Sequence, residues 1–183
     1  MNAHSVILLF QDNNGKKRIE QFQLLIAEKF GGRSTLQLPP HITLIKWQSL
    51  APLSENHKSS LVVRNMLHDV TLEPPEISPN GNSIWHRVKN PDKLKSLSAE
   101  LINTLLRSGI GNDNILQTTD YHLTLAYKDY SEKKVEAIFA FLKQSYPTSP
   151  TSLIATETAI CGIDDRGTWS LIAEPITIAP KRQ

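Results

Sequence analysis

The sequence predicts an α+β fold in two similar halves, with antiparallel sheets around a central cleft and helices outside. Three observations predict it. Short runs of apolar strand formers alternate with stretches whose apolar residues recur at helical spacing. The order strand, helix, glycine break, loop, strand occurs twice, a repeat of pattern rather than of identity. In both copies the closing strand opens on the same pattern, His-x-Thr-Leu, at His41 and again at His122.

Residues 4–11 (HSVILLFQ) are apolar and read as a buried strand. Asn13-Asn14-Gly15 breaks it. Over residues 16–30, Ile19, Phe22, Leu25, Ile26 and Phe30 fall at helical spacing, and Gly31-Gly32 ends that helix. Pro39-Pro40 leads into HITLIKW, a second strand, and a helix is expected over 54–68. A strand over 70–77 and the prolines at 74, 75 and 79 close the first half.

The pattern then restarts. Residues 82–88 (NSIWHRV) read as a strand, and Asn90-Pro91-Asp92 as a helix start. Leu94, Leu97, Leu101, Ile102, Leu105 and Leu106 share one face of a helix over 93–108, which Gly109 and Gly111 end. Tyr121 leads into HLTLAY, and a further helix is expected over 131–144. Strands over 152–161 and 168–178, joined by the turn-like Asp164-Asp165-Arg166-Gly167, complete the chain. The expected organisation is one bilobal unit over 1–183. Its halves meet near residues 78 and 79, with the closing strands over 152–178 crossing between lobes.

The bulk composition narrows the function. Hydrophobic residues make up 39 % of the 183 and charged residues 21 %, as in ordinary globular proteins. The net charge of +2 is too balanced to argue nucleic-acid binding through a basic face alone. The single cysteine, Cys161, excludes an intrachain disulfide and a multi-cysteine metal cluster, and reads as a small buried hydrophobe. The apolar run from Val6 to Phe10 is too short for a signal-peptide core, and nothing approaches the roughly 20 apolar residues of a membrane span. A soluble, unexported, cytoplasmic protein is expected.

The doubled His-x-Thr carries the chemistry. Side chains alternate along a strand, so His41 and Thr43 project together while Ile42 and Leu44 project the other way. The same holds for His122 and Thr124 against Leu123 and Leu125. A two-fold relation between the halves would bring both pairs to one pocket. Phosphodiester chemistry has a use for that set. One imidazole takes a proton from an attacking water and the other gives one to the leaving oxygen, each role contributing on the order of 10²- to 10⁴-fold in rate. The threonine hydroxyls can donate to the non-bridging phosphate oxygens. A single such tripeptide is ordinarily a satisfied histidine; two at equivalent places in a repeat are a candidate site.

PHITLIKW and YHLTLAY resemble the paired signatures of the two-histidine (2H) phosphoesterases, whose bacterial branch is called RNA 2′,3′-cyclic phosphodiesterase or 2′-5′ RNA ligase-like. The resemblance covers most of the chain. It implies a bilobal fold with a water-filled cleft and metal-independent hydrolysis of a 2′,3′-cyclic phosphate, usually to a 2′-phosphate, with 2′-5′ RNA ligation as a further activity. It makes His41 and His122 the acid–base pair and Thr43 and Thr124 the phosphate holders. No cofactor and no metal are expected. The partner is a nucleotide or RNA end bearing a cyclic phosphate or a 2′-5′ linkage, not a membrane, and the chain is expected to act as a monomer. The alternative is a module that binds nucleotides or RNA in the same cleft without turnover.

Strict alternation makes further assignments. It gives Trp47 the parity of His41, and with Trp85, on the strand that opens the second half, it is a candidate for stacking a nucleobase. It places Lys46 with Ile42 and Leu44, away from His41, puts Tyr127 in the core, and turns Lys128 toward the cleft. His86 and Arg87 lie on opposite faces of their strand, so one of them approaches the cleft. Trp169 reads as structural. Two histidines without a carboxylate on their strands underfill a metal site. Neither a G-x-x-x-x-G-K-[ST] phosphate loop nor a G-x-S-x-G nucleophile motif occurs.

Overall fold

The computed structural model describes residues 2–49, 54–64, 66, 68–163 and 168–173. In chain order the elements are β1 (Asn2–Phe10), α1 (Asn14–Phe30), β2 (Ile42–Ser49), α2 (Glu55–Leu61), β3 (His68–Ile77) and β4 (Ser83–Val88). Then come α3 (Asp92–Arg107), β5 (Ile115–Gln117), β6 (His122–Tyr127), α4 (Glu132–Ser145), β7 (Thr151–Ile163) and β8 (Trp169–Ala173). Single 3-10 turns sit at Ser34–Leu36 and Asn112–Asn114. No described helix is long and apolar enough to cross a membrane.

All described pairings are antiparallel, and they close on themselves. The order β1-β2-β6-β4-β3-β7 returns to β1, with β8 added beyond β7 and β5 beside β2. The result is one closed sheet rather than separate sheets. A pseudo-two-fold exchanges β1 with β4, β2 with β6, and β7 with β3. Its trace is the one pairing between the motif strands, Ile42 opposite Leu123, the residues that follow the two histidines. Both side chains have no exposed surface. Truncating either to alanine would cost on the order of 2–5 kcal/mol.

The helices cross over. α1, from the first half, packs on β6 and α4; α3, from the second, packs on β2 and α2. Helix α1 starts on an Asn13 side chain that accepts from Lys16 N, and stops at Gly31, whose φ of 77° suits glycine. Its buried stripe is Ile19, Gln23 and Ile26, while Leu25, expected on that face, is exposed. That of α3 is Leu94, Leu97, Ser98, Leu101 and Leu105, while Leu106 is exposed.

One expected element is shortened, one strand is added, and one expectation lies outside the described residues. The helix expected over 54–68 ends at Leu61, because the chain turns to meet β7. Val63 N donates to Thr158 Oγ1, Thr158 N to Val63 O, and Met66 N to Thr156 O. The strand β5, which carries no sequence signal of its own, pairs with β2 over Ile45–Trp47. The turn at 164–167 and the end of the last expected strand lie outside the described residues.

Strict alternation fails at one equivalent point in each motif strand. Val6 pairs with Ile45 but Ile7 with Thr43, so β2 holds an extra residue there. Ile84 pairs with Ala126 but Trp85 with Thr124, so β6 does too. These are β-bulges, which reset the facing of every later side chain. Leu44 and Ile45 are both buried, as are Leu125 and Ala126. A helix from the other half meets each bulge. Ser98 Oγ of α3 donates to Leu44 O, and Gln23 Nε2 of α1 donates to Thr124 O.

Candidate active site

One face of the closed sheet carries the main apolar core under the helices. The other opens on a cleft of about 270 Å³, with a small apolar patch of Ile7, Ala159 and Cys161 beside it. His41, Thr43, His122, Thr124 and Trp85 all line this cleft. The tripeptides therefore meet at one place, across the Ile42–Leu123 seam.

The two imidazoles are held alike. His41 Nδ1 lies 2.8 Å from the carbonyl of Pro39, and His122 Nδ1 lies 2.6 Å from the carbonyl of Asp120. In both, the partner is the carbonyl two residues back. A carbonyl only accepts, so each Nδ1 carries hydrogen, and the neutral ring keeps its lone pair on Nε2. Neither Nε2 has a described protein partner. Each is free to take or give a proton.

Burial lowers the pKa of His41 most; the Pro39 hydrogen bond opposes it, while the charges of His122 and Lys46 push it further down. Burial also dominates the lowered pKa of His122. There the Asp120 carbonyl and carboxylate act to raise it, and Lys46 and Arg87 to lower it. Among the described residues two charges act on His122 and not on His41: the Asp120 carboxylate, which favours the proton, and Arg87, which opposes it.

The bulges explain which neighbours join them. Past Leu44–Ile45, Lys46 comes onto the Thr43 face and lines the cleft, and Trp47 turns to the core. Trp47 is 2 % exposed and stacks on His4 at 5.2 Å between ring centroids. Its expected place beside His41 is therefore corrected. On β6 the same slip brings Tyr127 to the cleft, 38 % exposed, and not to the core. Lys128, at φ 60°, lies over the Tyr127 ring and is not part of the lining.

Trp85 stands opposite Thr124 and packs its ring against His122, 3.9 Å between centroids. Its Nε1 donates to Glu76 Oε1, the atom that also accepts from Arg87 Nε and Nη2. Burial acts to raise the Glu76 carboxyl, but the hydrogen bonds from Trp85 and Arg87 outweigh it and hold the pKa down. Arg87 extends to Asp120 as well, so it braces the segment that positions His122. His86, facing the other way, is fully buried in the core.

Hydroxyls and amides complete the wall: Ser5 and Ser83 at two-fold-equivalent places, Ser34 and Thr35 from the 3-10 turn, and Asn80 and Asn82 from the turn before β4. Asp129, in the loop after β6, accepts from Ser34 N and Oγ and fixes that turn. Gly32 allows the close approach, since a Cβ there would meet Tyr130 and Asp129 below 3.0 Å. Cys161 is a neutral wall group; burial pushes its thiol up to about 12. Among the described residues no carboxylate lines the cleft, and Lys46 is its cation. Among the described residues no group of three or more His, Cys, Asp or Glu is placed to hold a metal ion. The donor set suits an anion.

Sequence reasoning missed Lys46, Tyr127, Trp169 and the serines and asparagines of the wall. For the first two the signal was present. The adjacent apolar pairs Leu44-Ile45 and Leu125-Ala126 break the alternation at the same offset from each histidine.

This closed sheet with its paired helices is a fold found among solved phosphoesterases. A crystal structure described as a phosphoesterase matches at TM-score 0.55 over 96 % of both chains, at 15 % identity. E. coli LigT has the same fold. Its complex with NADP+ matches at TM-score 0.61 and 15 % identity, and its complex with 3′-AMP at 0.55 and 16 %, each over 95 % of both chains. No family model matches the chain, and no curated protein sequence does.

Proposed function

We propose that this protein is a two-histidine phosphoesterase that hydrolyses 2′,3′-cyclic phosphates of nucleotides or RNA ends, giving a 2′-phosphate without a metal ion. The observation that carries the reading is the matched pair of imidazoles, each tied through Nδ1 to the carbonyl two residues back and each with Nε2 free at the same cleft. The shared fold with LigT, solved with 3′-AMP and with NADP+, supports a nucleotide ligand.

His41, lowered by burial and by the charges of His122 and Lys46, is the base: its Nε2 takes a proton from the attacking water. His122, lowered by burial but with the Asp120 carboxylate acting to raise it, is the acid: its Nε2 gives a proton to the departing 3′ oxygen. Thr43 and Thr124 donate to the non-bridging oxygens, and Lys46 offsets the charge that builds on them. Trp85 is the aromatic wall for the nucleobase. With a ribose 5′-hydroxyl in place of water as the nucleophile, and the same 3′ oxygen departing, the same groups would join a 2′-5′ linkage. One chain suffices for the site in this reading, since the cleft draws all these groups from it.

The test is hydrolysis of 2′,3′-cyclic mononucleotides in EDTA, with the position of the product phosphate determined. His41→Ala and His122→Ala should each lower kcat on the order of 10²- to 10⁴-fold. Activity that chelator abolishes, or that survives both substitutions, rules the reading out. Binding of nucleotides with no turnover of any cyclic phosphate would instead mark a binding module.

A further inference from the structure

A second cavity, of about 340 Å³, adjoins the histidine cleft. The two share Lys46 and Trp169 in their walls. Small-molecule sites usually occupy roughly 300–1,000 Å³. The histidine cleft alone falls just below that range, and the second chamber falls inside it.

The chamber is built by a segment that breaks the two-fold. Between α3 and β6 the chain forms the 3-10 turn Asn112–Asn114 and then β5, which pairs with β2 beside Lys46. The equivalent segment of the first half, after α1, makes no strand and lines the histidine cleft instead, through Ser34 and Thr35. The wall of the second chamber combines apolar Ile115 and Leu116 with the polar groups of Gln48, Asp113 and Asn114. Leu116 is 67 % exposed, a large apolar side chain held out at the rim. Apolar surface edged by amides and a carboxylate suits a heterocycle that carries its own donors and acceptors.

We propose that this chamber is a subsite for a second nucleoside, on the far side of the phosphodiester from Trp85, with Lys46 at the junction where the phosphate lies. The inference rests on reading the histidine cleft as a phosphodiester site. It makes the preferred ligand a phosphodiester that joins two nucleosides rather than a mononucleotide.

The experiment is calorimetric titration of the full chain carrying His41→Ala and His122→Ala, so that no ligand is consumed, with 2′-5′-linked adenylyl adenosine and with 2′-AMP. One additional stacked base should tighten binding about tenfold or more. Leu116→Glu and Gln48→Ala, both at exposed positions, should each bring that ratio toward one. Equal affinity for the two ligands, or a gain that survives both substitutions, overturns the subsite. The outcome is separate from catalysis. A wild-type chain inert on all cyclic phosphates that still shows the gain removes the phosphodiesterase reading and keeps the subsite. An active chain without the gain does the reverse.

Discussion

Replacing His86 with leucine should move the acid limit of stability. His86 sits on β4 between Trp85 and Arg87 but faces the core, with no exposed surface. Its Nδ1 donates to Glu73 O at 2.7 Å, its Nε2 has no partner among the described residues, and its ring tilts against Tyr146. Burial lowers its pKa to about 4, against the opposing hydrogen bond to Glu73. In the unfolded chain the imidazole titrates near 6.5. Below that pH the unfolded chain takes up a proton that the folded chain refuses. The stability is therefore intact above pH 6.5 and is lost as pH falls toward 4. At pH 4.5 the loss from this one group comes to about 2.5 kcal/mol. Leucine, the residue at the two-fold-equivalent Leu8, removes the titration. Its cost at pH 7 is the orphaned Glu73 carbonyl, about 1–3 kcal/mol. Urea denaturation at pH 7 and pH 4.5 measures both. The wild type should lose about 2.5 kcal/mol more than His86→Leu between the two. Equal losses would refute the assignment of a neutral, buried His86.

Other perturbations bear on the cleft. Lys46→Met should lower kcat/KM roughly tenfold to a hundredfold, the value of a charge-assisted hydrogen bond to phosphate. It should also shift the acid limb of the pH–rate profile to higher pH, because the Lys46 charge acts to lower both histidines; an unmoved profile counts against its position. Asp120→Asn removes a charge that raises His122 and should shift the alkaline limb to lower pH, read in the same profile. Trp85→Ala should raise KM about tenfold, while Trp85→Phe, which keeps a ring but loses the bond to Glu76, should retain most of the affinity in steady-state kinetics.

Much of this was legible in the sequence because it depends on local period. The apolar stripes of α1 and α3, the glycine stops and the doubled His-x-Thr are all short-range patterns. The ring closure was not, because it depends on β7 finding both β1 and β3 across long separations. Helix α2 stopped early for the same reason: tertiary hydrogen bonds to Thr156 and Thr158 overrode a local tendency. In the site, alternation placed His41, Thr43, His122 and Thr124 on one cleft, since they precede the bulges. It misplaced Lys46, Trp47, Tyr127 and Lys128, since they follow them. A period-two argument holds only up to the first inserted residue.

The bulges also bear on the direction in which a substrate can be read. The repeat delivers two equivalent imidazoles and two equivalent hydroxyls, and by themselves these would accept a diester either way round. After the bulges the copies diverge: Lys46 occupies in one half the place of Tyr127 in the other, and Ile7 faces Thr43 where Trp85 faces Thr124. Cation and aromatic ring therefore stand on opposite sides of a mirrored pair. A ligand that seats its base on one and its phosphate on the other has a single orientation, and that polarity decides which ester oxygen leaves.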